Sequence, residues 1–470
     1  MKITLKEASS YSHAQLLHAP LTDATFNGAA YDSRAVRPGQ LFVAIRGERA
    51  DGHDFADTAV HSGAAAILAE RDIYEGSQKP AAPLLLVPNA VKGIGDIASA
   101  CRRAFCGKVI GLTGTAGKTT TKELLSHILS MSGKTARTPM NLNTQVGLPV
   151  SILAADGDED FWVLEAGISH PDDMDELGAI MEPDLAIILN VGAGHSLGLG
   201  GKGTAFYKSR LLRHKRPGLP ALVSADYESL VSEASQFDGI AYFSVRRDDV
   251  AYHAAYLGTN SHGRGMYDIH LPGATFTADA QLTGEYAAEN IIAAAAAAHL
   301  LGISASDIVR GIQTAEFPAQ RFSRHELPHW TVIDDSYNAN PLSASRMIAA
   351  ARELAGSGDL VCVMGEMGEL GSVAPEEHVR LGRNLAASGC SAVFWHGNYA
   401  EQVRQGLEES GFSGYFLPGC NALNFLEQFS KWQATAHNPD QKGVVLFKGS
   451  RLNHLENMVK LFMDKESHAL

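Results

Sequence analysis

Short apolar runs alternate with longer, helically spaced stretches along the chain, most cleanly in its last third. "TVIDDS" (331–336), "DLVCVMG" (359–365), "AVFWHG" (392–397), "GYFLPG" (414–419) and "GVVLFKG" (443–449) have the length and apolar content of buried strands. "SASRMIAAARELAG" and "PEEHVRLGRNLAASG", lying between them, have helical spacing. Strand–helix alternation with about five strands predicts a Rossmann-like, doubly wound parallel sheet.

The middle of the chain follows a similar rhythm. "KVIGLTG" (108–114) is a short, glycine-ended buried strand, and "KELLSHILSMSGK" after it is a helix. Leu124 and Ile128 share one face of that helix, as do Leu125 and Leu129, with Gly133 as the stop. "FWVLEAG" (161–167) and "DLAIILNVG" (184–192) read as strands, and the Ala-rich stretch 287–301 and "SDIVRGIQ" (306–313) as helices. The first hundred residues are mixed: strands "QLFVAI" (40–45) and "AAAILA" (64–69), and helices "DGHDFADTAVHSG" (51–63) and "VKGIGDIASACRRAF" (91–105). His53-Asp54-Phe55 reads as helix-start chemistry plus core. Boundaries near Gly107 and Phe317-Pro318 predict three α/β domains, 1–106, 107–317 and 318–470, in line with a length of 470 residues.

Composition narrows the function classes. Hydrophobic residues make up 45% and charged residues 19%, enough for several cores. The net charge of −13 comes without a basic arm, which argues against binding nucleic-acid backbones and asks any anionic substrate to find a local positive pocket. Five scattered cysteines with no CxxC pair point away from zinc and towards a reducing compartment. "MKITLKEASSYSHAQ" has no signal-peptide core, and "IIAAAAAAHLLGI" (291–303) is too short for a bilayer. The expectation is a soluble, cytoplasmic monomer without integral membrane association.

The candidate chemistry begins at "GLTGTAGKTTT" (111–121). The common phosphate loop, G-x-x-x-x-G-K-[ST], would need a glycine at position 112, where this chain has leucine. The context is still that of a phosphate loop, a strand feeding a helix. Gly114 and Gly117 are expected to take positive φ and let the backbone approach a phosphate. Lys118 would track the β- and γ-phosphates, and Thr119 would place a hydroxyl on Mg²⁺. Gly114, Thr115, Ala116, Gly117, Lys118, Thr119 and Thr120 form the candidate triphosphate site. The bland alternative, a turn with a surface lysine, is disfavoured by the flanking strand and helix. Glu165 and His195 follow the next two strands and Lys208 lies beyond them, in the region that faces the ligand crevice of an open α/β sheet. Glu165 offers oxygen to a second Mg²⁺.

These residues resemble those of the Mur ligases, ATP-dependent amide ligases of peptidoglycan precursor synthesis. That family's loop is the shorter T-G-[TS]-x-G-K-[TS], which Thr113–Thr119 matches position by position. "DSRAVRPGQLFVAIRGERADGHDF" (32–55) is similar to the family's N-terminal uridine-diphosphate domain, and "MNLNTQVGLP" (140–149) to the segment that meets the muramyl substrate. "DDSYNANPLS" (334–343), "VMGEMGELG" (363–371) and "KGSR" (448–451) look like the branch that adds D-Ala-D-Ala to UDP-N-acetylmuramoyl-tripeptide (UDP-MurNAc-tripeptide). The "DNPR" signature of the diaminopimelate-adding branch is missing.

The resemblance implies an acyl-phosphate mechanism, with ATP, two Mg²⁺ ions, the UDP-muramyl tripeptide and D-Ala-D-Ala as partners. It implies roles for Lys118 and Thr119 at the phosphates and first Mg²⁺, and for Glu165 and His195 at the second. Lys208 corresponds to a lysine carbamylated by CO₂, Asn290 to an adenine contact, and Arg321 to an interdomain arginine near the γ-phosphate. Asp335, Tyr337 and Asn338 would face the nucleotide, Ser33 and Arg34 the uridine diphosphate, and Asn141, Asn143 and Thr144 the muramyl substrate. Three departures stand out: Leu197 where the family has glutamate after His195, Arg210 where a glutamate is common, and Ala287 where an asparagine is common. Two other readings compete: a related ligase acting on another carboxylate–amine pair, and a P-loop switch or mechanical ATPase without an acyl acceptor.

Overall fold

The computed structural model describes all residues except 20–23, 48–49, 76–80, 193–201, 438–440 and 468–470. Three main sheets follow one another along the chain. The first has five strands in the spatial order Gln15–Leu17, Leu84–Leu86, Ala66–Ala69, Leu41–Val43 and Ala29–Ala30; only the first pair is antiparallel. The helix expected over 51–63 splits into a 3-10 turn, Gly52–Phe55, and a helix, Ala56–His61. The Asp51 side chain caps the turn, and the buried His53 accepts a hydrogen bond from the Glu70 amide through Nε2 (2.9 Å).

Helix Ala90–Ala104 ties this unit to the next. Ile94, Ile97 and Ala98 are fully buried along it. Arg102, also fully buried, donates to the carbonyls of Met181 and Glu182 (both 2.7 Å) and to Asp184 (2.8 Å). Phe105 stacks on the buried Trp162 with ring centroids 3.7 Å apart.

The middle sheet has nine strands. Strand Lys108–Thr113 lies between Leu185–Ile188 and Phe161–Glu165, parallel to both, so the carboxyl ends of the three strands converge on residues 114–120. The far side of the sheet ends in an antiparallel meander, Tyr252–Thr259, Gly265–Leu271 and Ala274–Ala280, that the apolar runs do not announce. In "GMYDIHL" Tyr267, Ile269 and Leu271 are buried while Met266, Asp268 and His270 are only partly so. Such a half-covered strand alternates in polarity and offers no continuous apolar run.

Helix Glu285–Leu300 is buried on all sides from Ala287 to Ala298 and packs against Lys118–Ser130 and Pro341–Ala355. Its alanines allow close approach of the neighbouring helices.

The third sheet contains the five expected parallel strands, Trp330–Asp335, Gly443–Lys448, Leu360–Gly365, Ala392–His396 and Tyr415–Leu417. A sixth, antiparallel edge strand, Ser323–Glu326, has no apolar run to announce it, because "SRHE" is polar throughout. Among the described residues no helix is long and apolar enough to cross a membrane.

Candidate active site

Residues 114–117 leave strand Lys108–Thr113 and enter helix Lys118–Ser130, whose N-terminus has no capping side chain among the described residues. Uncapped amides and the helix dipole make this an anion site. Gly117 takes φ +77°, and a Cβ there would stand 2.2 Å from Asn290 Oδ1. Gly114 does not have the positive φ expected of it. It is small for a different reason: a Cβ there would meet Leu189 Cβ at 3.0 Å and Asn190 Oδ1 at 3.4 Å.

The side chain of Asn190 braces the loop. Its Oδ1 accepts from the amides of Thr115 (3.0 Å) and Ala116 (2.8 Å), and its Nδ2 donates to Ala116 O (3.0 Å) and Glu289 Oε2 (2.7 Å).

Around the helix start, Thr119 Oγ1 donates to Glu165 Oε2 (2.9 Å) and Asn143 Nδ2 donates to Glu165 Oε1 (2.8 Å). The fully buried Lys122 lies 3.9 Å from Glu165 Oε2 and donates to Thr138 O (2.6 Å), fastening the helix to the segment that carries Asn141, Asn143 and Thr144. Neighbouring hydroxyl and carboxylate oxygens are the donor set a hard divalent cation prefers, so Thr119 and Glu165 fit Mg²⁺.

Lys118 Nζ and Lys208 Nζ both donate to Gly114 O, at 3.0 and 3.1 Å. Burial lowers the pKa of Lys118 against the opposing pull of Glu165. Burial, and then the charge of Lys118, drives Lys208 well below the usual lysine range. As an amine, Lys208 offers hydrogens to the loop rather than oxygen to a metal. His195 lies outside the described residues.

A cleft of about 610 Å³ opens in front of the loop. One wall carries Thr115–Thr120, Asn141, Asn143, Thr144, Glu165 and Asn290; the other carries Arg321, Asp335, Tyr337, Asn338, Lys448 and Arg451. The Arg321 guanidinium lies 4.1 Å from the Tyr337 ring centroid, with Arg451 at 5.7 Å from the same ring. Lys448 pairs with Asp335 and donates to Asn338 O (3.1 Å). Asn290 Oδ1 accepts from Thr121 Oγ1 (3.2 Å). A chain of net charge −13 thus gathers Lys118, Arg321, Lys448 and Arg451 around one cavity.

Not every candidate joins this cleft. Lys208 is buried with its Nζ on Gly114 O and does not line the cleft. Ser33 is buried in a 3-10 turn of the first unit and Arg34 pairs with Asp32 (2.7 Å); neither lines the cleft.

Other site residues were not among the candidates. Asn190 ends an apolar strand, and a polar residue in that position is a signal that could have found it. Asn340 Nδ2 donates to Thr115 O (3.1 Å) from the third unit. Arg346, also in the third unit, pairs with Glu289 (2.8 Å), but nothing in its amphipathic helix marks it out.

Comparison with known proteins agrees along the whole chain. Residues 25–100 match the Mur ligase family catalytic domain, 112–298 the Mur ligase middle domain, and 320–451 the Mur ligase glutamate ligase domain. The UDP-N-acetylmuramoyl-tripeptide–D-alanyl-D-alanine ligase of Synechocystis is 32% identical over 79% of each chain, and that of Bacillus subtilis 28% identical over 98% of each. Among solved structures, MurF from Acinetobacter baumannii superposes with a TM-score of 0.88 at 28% identity over 99% of each chain. MurF from Thermotoga maritima, solved in complex with ADP, superposes at 0.80 with 28% identity over 94% of this chain and 99% of its own. A Mycobacterium tuberculosis folylpolyglutamate synthase, 17% identical, shares the fold alone (TM-score 0.64). On the loop, the cleft and these full-length likenesses, the chain belongs to the Mur ligase family.

Proposed function

We propose that this chain joins D-Ala-D-Ala to UDP-N-acetylmuramoyl-tripeptide, with ATP converted to ADP and phosphate, in the cytoplasm and as a monomer. The observation that carries the reading is the full-length likeness to ligases named for this reaction, 28% identical over 98% of both chains in the Bacillus subtilis case. The three units, 1–106, 107–317 and 318–470, are read as the uridine-diphosphate, ATP-cleaving and D-Ala-D-Ala-accepting domains.

A carboxylate is a poor electrophile at neutral pH, and phosphorylation gives it a leaving group. The terminal carboxylate of the tripeptide attacks the γ-phosphorus and ADP departs. The free amine of D-Ala-D-Ala then adds to the acyl carbon, the tetrahedral adduct expels phosphate, and the nitrogen loses its proton.

The reading gives Lys118 and the uncapped amides at the start of helix Lys118–Ser130 the task of holding the β- and γ-phosphates, with Arg321 near the γ-phosphate from the opposite wall. Asn290, Asp335, Tyr337 and Asn338 orient the nucleoside; Asn141, Asn143 and Thr144 face the muramyl side; Ser33 and Arg34 face the uridine diphosphate. Thr119 and Glu165, joined in this reading by His195 and a carbamylated Lys208, would hold two Mg²⁺ ions. These ions would offset the repulsion between ATP and carboxylate. Water competes with the amine for the acyl phosphate, so a cleft between two units that can close over its contents suits the reaction.

The test is phosphate release with substrates withheld one at a time. Release only when ATP, the UDP-muramyl tripeptide and D-Ala-D-Ala are all present is the expected result. Tripeptides ending in diaminopimelate and in lysine are both to be tried. Equal turnover with single amino acids would redirect the reading to another amine, and hydrolysis needing no acceptor would favour a nucleotide switch.

A further inference from the structure

We infer that Glu289, Tyr227 and Arg346 form a latch through which docking of the third unit sets the phosphate loop, making them positioning residues for the nucleotide. The inference rests on the reading of that loop as the ATP site.

Glu289 is 1% exposed and, with Asn290, interrupts a run of alanine and isoleucine on a buried helix. Its two carboxylate oxygens are spoken for. Oε2 accepts from Asn190 Nδ2 (2.7 Å) and from Arg346 Nη1 (2.8 Å); Oε1 accepts from the Tyr227 hydroxyl (2.9 Å). Arg346 closes the ring by donating to the Tyr227 oxygen at 2.7 Å.

These groups come from different parts of the molecule. Tyr227 follows strand Ala221–Ser224 of the middle sheet, whereas Arg346 lies on helix Pro341–Ala355 of the third unit. Asn190, on the far side of Glu289, is the residue whose Oδ1 holds the Thr115 and Ala116 amides. A path of direct hydrogen bonds therefore runs from the third unit to the phosphate loop.

The chemistry makes this path more than packing. A buried carboxylate with a bonded arginine is tolerated; one whose arginine has withdrawn is strongly disfavoured. When the third unit moves off, Glu289 keeps only neutral donors, Tyr227 and Asn190. The Asn190 amide is then drawn towards the carboxylate, and the same amide braces the loop. Docking and loop geometry thus stabilise each other. By linkage, a nucleotide that favours one loop geometry favours the docked third unit to the same extent. Arg346 and Tyr227 differ in a useful way: Arg346 also lines the cleft, and Tyr227 does not.

The experiment is titration of the full chain with ADP, read by calorimetry, for Tyr227→Phe, Glu289→Gln, Arg346→Met, Arg346→Lys and the Glu289→Gln/Arg346→Met pair. The latch predicts about 5- to 100-fold weaker ADP binding for the first three. It also predicts partial recovery in Arg346→Lys, and a double variant no weaker than its worse parent. Tyr227→Phe binding ADP as the parent chain does would overturn the latch and leave Arg346 as a direct contact at most. So would losses that multiply in the double variant. Thermal unfolding of each variant identifies any that fail to fold, and Tyr227→Phe, which removes one hydroxyl, keeps the test decisive. ADP binding needs no acyl acceptor, so failure of the ligase reading would appear separately, as phosphate release that ignores the tripeptide.

Discussion

Lys208 is 1% exposed, and its Nζ shares Gly114 O with the Nζ of Lys118. Two cations on one carbonyl repel, and burial adds its own cost to each. The neutral amine is the form that can add CO₂. A carbamate would set a negative charge beside Lys118 in place of a neutral amine, and oxygen acceptors suited to Mg²⁺ in place of a hydrogen donor. On this account Lys208→Ala should lower phosphate release by about 10- to 100-fold or more, and short carboxylic acids diffusing into the vacated space should restore part of it. Lack of rescue, together with no carbamate in the intact-protein mass, would leave Lys208 as a plain loop contact. At this scale the residues that the sequence marked and the fold brings to one cleft are Gly117 and Lys118 of the loop and Glu165 at the end of its strand. Glu289 and Arg346 were not legible, because a charged residue on a helix is ordinarily solvated and only the fold shows these two facing each other.

Helix Glu285–Leu300 shows what the elements could and could not announce. Its alanine run predicted a core helix, and Ala293–Ala298 are all fully buried. A side chain larger than a methyl has no room there, so Ala295→Leu should destabilise the middle unit by about 1–3 kcal/mol. In thermal unfolding this is a fall of about 2–4 °C per kcal/mol; an unchanged midpoint would mean the helix packs more loosely than its burial implies. Parallel strands that were readable, such as Lys108–Thr113, Phe161–Glu165, Leu185–Ile188 and the five of the third sheet, are the continuous apolar runs that a sheet covered on both faces needs; Thr135–Arg137, Ala221–Ser224 and Ile240–Ser244, parallel too, were not among the expected strands. The meander 252–280 and edge strand Ser323–Glu326 were hidden for the converse reason, since one-sided or polar strands look like loops in a search for such runs. The Gly52–Phe55 turn was absorbed into a longer helix because Asp51 caps either form equally well.

For the molecule as a whole, the cleft lies where the middle and third units meet, so, on the proposal that it takes ATP, its affinity for nucleotide should depend on contacts that touch no nucleotide. Asn340 is such a contact and performs two tasks. Its Oδ1 accepts from Ser343 N (2.9 Å) as the N-cap of helix Pro341–Ala355, and its Nδ2 donates to Thr115 O (3.1 Å) across the seam. Substitution can separate the two. Serine caps a helix about as well as asparagine but is too short to span to Thr115. It also brings no charge that would itself repel a phosphate. Asn340→Ser should therefore leave the unfolding midpoint of the third unit in place while ADP binding weakens. The lost bond leaves Thr115 O without its donor, at about 1–3 kcal/mol, or close to tenfold or more in affinity. Asn340→Ala should lose both the seam contact and the cap, adding about 1 kcal/mol of instability to the same loss of affinity. If serine and alanine variants both bind ADP like the parent chain, the seam contact is incidental and docking of the third unit rests on the apolar packing between helices Glu285–Leu300 and Pro341–Ala355. If only alanine weakens binding, the helix cap carries the effect and the bond across the seam does not.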